Sequence, residues 1–88
     1  MELNRCAYTI LGILRTKKAT DKVHGITISE ILQFEKTSKY NTIHKRIKEM
    51  QNLGFIDEGV KVGKAKSYFI TGSGLALLPI KKEETHNV

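Results

Sequence analysis

The chain has 88 residues, 40% hydrophobic and 27% charged, with 15 Lys and Arg against 9 Asp and Glu, a formal net charge of +6. That length holds one domain and excludes a second. A domain of roughly 60 to 90 residues buries only about 60% of its unfolded surface, so a second copy is an expected partner on size alone. The lone Cys6 excludes an intrachain disulfide, and nothing near Met1 has the order of a secretory signal. The longest apolar stretch, Cys6 to Leu14, is broken by Thr9 and Gly12 and followed by Arg15, far short of the roughly 18 to 20 residues of a membrane span. The expectation is a soluble, cytoplasmic protein with no membrane partner.

Leu3, Cys6, Ala7, Ile10, Leu11, Ile13 and Leu14 recur at helical spacing, which predicts a first helix over about Leu3 to Lys18. Its apolar stripe is wide, so its flank, Cys6 and Ile13, is a candidate dimer interface; Tyr8, off the stripe, is a third candidate. Ala19 to Gly25 reads as a polar loop. Thr27 with Glu30 has capping-box spacing and opens a short second helix carrying Ile28, Ile31, Leu32 and Phe34 inward. Ser38 is the expected N-cap of a third helix, in which Tyr40, Ile43, Ile47, Met50 and Leu53 repeat at three- and four-residue steps until Gly54 stops it. The two helices make a helix-turn-helix with a three- or four-residue turn.

Beyond Gly54 the period changes. Phe55, Ile56, Val60 and Val62, then Tyr68, Phe69 and Ile70, are β-branched or aromatic runs on either side of Val62-Gly63-Lys64-Ala65, a hairpin with Gly63 in its turn. Thr71 caps a last short helix with Leu75, Leu77 and Leu78, ended by Pro79. The predicted organisation is one domain over residues 1–78 and a polar, mobile tail over 79–88. The fold class is mainly α with a small antiparallel β-hairpin.

This order resembles a winged helix-turn-helix of the superfamily that includes the MarR-like, PadR-like and ArsR-like regulators. Two motifs carry the resemblance: Leu53-Gly54-Phe55-Ile56 after the third helix, and Tyr68-Phe69-Ile70-Thr71 closing the hairpin, with Gly74 in the place of the usual glycine. The chain has no length for the long dimerisation helices of MarR-like and PadR-like proteins. In scale it resembles compact plasmid and phage winged helices, among them centromere-binding adaptors of partition systems. The resemblance implies a DNA-binding role, with the third helix as reader and the hairpin as wing.

The charge pattern agrees with that role. Lys36, Lys39, Lys45, Arg46 and Lys48 lie in a stretch without Asp or Glu, as do Lys61, Lys64, Lys66, Lys81 and Lys82. Such a local excess attracts polyanions, nucleic acid first. With Ile43, Ile47 and Met50 inward, the opposite side of the third helix presents Asn41, Lys45, Lys48 and Asn52, flanked by Thr42 and His44. Asn41, Thr42, His44 and Lys45 are the candidate base contacts. Ser38, Lys39 and Tyr40 are candidates for anchoring phosphate at the helix N-terminus. Lys48 extends the same face, and Lys61, Lys64 and Lys66 place the wing along a phosphate strand.

Other chemistry has little footing. Cys6, His24, His44 and His86 have no metal-pair spacing, and there is no phosphate loop, nucleophile elbow or carboxylate pair, so no metal, cofactor or enzymatic role is expected. The leading reading is a sequence-specific double-stranded DNA-binding protein, a homodimeric transcriptional repressor located at the nucleoid or on a plasmid. The alternative is a centromere-binding adaptor that recruits a filament-forming partition protein. A protein-interaction winged helix is the reading from a different class, and RNA binding is weaker because the wing has few aromatics for stacking.

Overall fold

A computed structural model of the chain describes residues 5–78. Leu3 and the expected tail, with Pro79, Lys81 and Lys82, lie outside the described residues. Helix α1 (Arg5–Thr16) buries Ala7, Ile10, Leu11 and Leu14, while Cys6 and Ile13 stay half-buried on its flank. It ends before Lys18 because that residue adopts a left-handed φ of 60°. The Lys18 amide donates to the Arg15 carbonyl at 3.0 Å and the Ala19 amide to the Leu14 carbonyl at 2.8 Å, a Schellman closure at which glycine is usual. The closure turns Ala19 wholly into the core, where its carbonyl accepts from the Ile70 amide at 2.8 Å. The polar loop that follows therefore starts from a buried anchor.

Strand β1 (Ile26–Thr27) is an addition to the expected hairpin, since two residues are too few to show a period. Thr27 then caps α2 (Ile28–Leu32) as its spacing predicts: Glu30 N donates to Thr27 Oγ1 at 3.2 Å and Thr27 N to Glu30 Oε1 at 3.0 Å. Ile28 and Ile31 are buried, but Phe34 is 50% exposed, against expectation. Helix α2 stops at Leu32, so Phe34 has left its inward face and instead sits under the Lys17 ammonium, 4.3 Å from the ring centroid.

The connection from Gln33 to Lys39 is longer than the three- or four-residue turn expected. Glu35 organises it, accepting from Thr37 Oγ1 at 2.7 Å, Thr37 N at 3.0 Å and Ser38 Oγ at 3.4 Å. These bonds, the Thr37 hydroxyl foremost, hold the Glu35 carboxyl below its ordinary pKa. They also divert Ser38, so the N-cap of α3 (Tyr40–Leu53) is Lys39, with no side-chain cap. Ile43, Ile47 and Met50 are fully buried, whereas Tyr40 and Leu53 at the ends of the stripe are exposed.

Strands β2 (Ile56–Glu58) and β3 (Ser67–Ile70) complete an antiparallel sheet of order β1-β3-β2, followed by α4 (Gly72–Leu77). Val60 and Val62, expected in the strand, are exposed in the wing. The wing closes on Gly63-Lys64, with reciprocal hydrogen bonds between Val62 and Ala65 and a positive φ at Gly63 only, a type II′ turn.

The two sequence motifs meet in space. Gly54, at φ 86°, closes α3 and sends the chain into β2, where Ile56 pairs with Ile70. Thr71 donates from Oγ1 to the Gly54 carbonyl at 2.6 Å and from its amide to the Phe55 carbonyl at 3.0 Å, while its Oγ1 accepts from Gly74 N at 3.2 Å and caps α4. A Cβ at Gly74 would collide with the Phe55 carbonyl oxygen. One joint thus sets the direction in which α3 leaves the sheet.

Candidate nucleic-acid interface

The burial of Ile43, Ile47 and Met50 decides which side of α3 faces out. Asn41, Thr42, Lys45, Lys48 and Asn52 are exposed, and His44 is half-buried. Tyr40 and His44, one turn apart, stack with ring centroids 6.4 Å apart and planes 9° from parallel. They form one wall of a cleft of about 240 Å³ between α3 and the wing; Lys64 and Lys66 form the other, with Ser29 of α2 and Tyr68 also lining it. Burial, then the charge of Glu58, raises the Tyr68 pKa, so its phenol stays neutral there.

Not every predicted residue stands free. Ser38 is half-buried, 3.7 Å from Cys6 Sγ and bonded to Glu35, so its hydroxyl is occupied rather than offered to a phosphate. Lys39 and Tyr40 are exposed at the α3 N-terminus, whose first amides no side chain caps. Lys61, Lys64 and Lys66 are exposed along the wing.

The two basic stretches lack acids in sequence but not in space. Glu49, one position past the first, binds Arg46 at 2.8 Å. Glu58, one position before the second, lies 3.3 Å from Lys66 Nζ and 4.0 Å from Lys48 Nζ. Glu58 is the residue missed from sequence. Its signal is visible only once the strand register is known: Glu58 pairs with Tyr68, and Lys66, two positions from Tyr68, is its diagonal neighbour on the same face.

The three candidate interface residues share the outer side of α1 unequally. Cys6 and Ile13 lie on one edge and Tyr8 about 140 to 160° round the helix on the other, with Thr9, Gly12 and Thr16 between them. Ile13 also lines a groove of about 340 Å³ that runs to Phe34. Among the described residues no group of three or more His, Cys, Asp or Glu could hold a metal ion, and no helix is long and apolar enough to cross a membrane.

No protein-family model matches the chain. A DNA-binding protein TubR from Clostridium botulinum C phage is 30% identical over 78 residues, covering 89% of this chain and 95% of that protein. Among solved structures, TubR from Bacillus megaterium pBM400 superposes with a TM-score of 0.77 at 22% identity, covering 97% of this chain and 89% of the other. The solution structure of the DNA-binding TubR fragment from Clostridium botulinum gives 0.68 at 28% identity, covering 86% and 93%. The fold is therefore a winged helix of the compact plasmid and phage type, and the chain belongs to the TubR family.

Proposed function

We propose that this protein binds double-stranded DNA with the outward side of α3 in a major groove and the wing along an adjacent phosphate strand, and that it does so as a centromere-binding adaptor in DNA partition. The observation that carries the binding mode is the cleft in which Tyr40 and His44 of α3 face Lys64 and Lys66 of the wing, with Asn41, Thr42 and Lys45 exposed on the same helix. The exposed Asn41 carries the amide that can pair with adenine and Lys45 the ammonium that can reach guanine acceptors, while the wing lysines supply sequence-independent attraction.

Two copies per site double the contacts and match a repeated or palindromic target, so we propose a homodimer as the binding unit. Kinship with the TubR proteins supports the partition role over that of a promoter repressor, and with it a filament-forming partition protein as second partner. The same grip on DNA serves either role, so the DNA target discriminates between them. Footprinting of the DNA flanking the chain's own coding region is the test. Protection of tandem repeats over several helical turns, with a filament-forming protein recruited to them, is the expected result. One short protected palindrome overlapping a promoter would refute the partition role.

A further inference from the structure

We infer that Glu58 is a charge brake on the DNA-facing surface: it weakens binding to every duplex alike, leaving the base contacts of α3 to decide where the protein stays. The inference rests on the DNA-binding reading above. Glu58 ends β2, where the chain leaves the sheet for the wing, and its side chain is 38% exposed. One carboxylate oxygen serves a cation on each of the two elements proposed to grip DNA, Lys66 of the wing at 3.3 Å and Lys48 of α3 at 4.0 Å.

A phosphate that approaches either ammonium competes with Glu58 for the same donors and meets a like charge at close range. That opposition does not depend on sequence, because phosphates are the same at every site. At the N-terminal end of the reading face that opposition is weak. Asn41 lies seven residues from Lys48, about 10 Å along the helix axis, roughly one Debye length at physiological salt. A chain with fifteen basic residues risks being held on random DNA; a carboxylate at the convergence of reader and wing lowers that background while Asn41, at the far end of the reading face, stays clear of it.

The experiment is Glu58→Gln, which keeps size and strand backbone, titrated by fluorescence anisotropy against a random-sequence duplex across about 0.05 to 0.5 M NaCl. Release of one phosphate-binding charge should steepen the log–log salt slope by up to about 0.9 and tighten binding about fivefold near 0.15 M salt. Glu58→Thr, another strand-compatible residue, should do the same, and in a Lys66→Ala, Lys48→Ala background the gain should shrink. Unchanged or weaker binding by both Glu58 variants, with the wild type binding normally, overturns the brake and leaves the DNA-binding reading intact. A wild-type protein that binds no duplex even at low salt sinks the DNA-binding reading and the brake together.

Discussion

Replacing Lys64 by Ala separates affinity from recognition. Lys64 occupies the second position of the type II′ turn, is exposed, and makes no ion pair among the described residues. Alanine adopts the same negative φ, so the wing keeps its shape and the melting temperature should hold. If Lys64 neutralises one phosphate, its loss lowers the log–log salt slope by about 0.9, which near 0.15 M salt is about a fivefold weakening on any duplex. Asn41→Ala should show the opposite signature: an unchanged salt slope, but loss of discrimination against the wrong base of roughly 1 to 3 kcal/mol. Anisotropy titrations on a footprinted target and a scrambled duplex, each at several salt concentrations, measure both. An unchanged slope for Lys64→Ala, or an Asn41→Ala loss equal on both duplexes, would refute the division of labour between wing and helix.

Three further outcomes test the fold that positions the site. Lys18→Gly should stabilise the protein, by at most about 1.5 kcal/mol in urea denaturation, because it relieves a left-handed cost of about 1 to 2 kcal/mol against a glycine entropy penalty of about 0.5 to 1. Gly74→Ala should destabilise by about 1 to 3 kcal/mol in the same assay, since the backbone oxygen of Phe55 cannot swing away from the new Cβ. Glu35 has a folded-state pKa below its unfolded value, so its contribution is present at neutral pH and lost as pH falls through the folded value; Glu35→Gln should flatten the acid limb of the melting temperature against pH.

Much of the fold was legible because its signals are local. The capping box at Thr27 needs only a three-residue spacing, the end of α3 only Gly54, and the inward face of α3 only the recurrence of Ile43, Ile47 and Met50. What escaped depends on partners distant in sequence. Strand β1 exists because β3 offers it an edge, and Ser38 fails as a cap because Glu35 and Cys6 engage it first. Phe34 left the core because α2 stopped two residues before it. The exposed flank of α3 followed from periodicity, but its charge balance did not. Counting acids within a stretch overlooks Glu49 and Glu58, each one residue outside, which helix turn and strand register bring back onto the lysines and Arg46.

The account stands most directly on amide chemical shifts followed while a duplex is titrated into the labelled protein at low salt. Perturbations should concentrate at Lys39 to Lys48 and Lys61 to Lys66, with the amides of α1 from Tyr8 to Thr16 little changed. Shifts centred on α1 and Phe34 instead, or none at saturating duplex, would contradict the assignment of α3 and the wing as the DNA-binding surface.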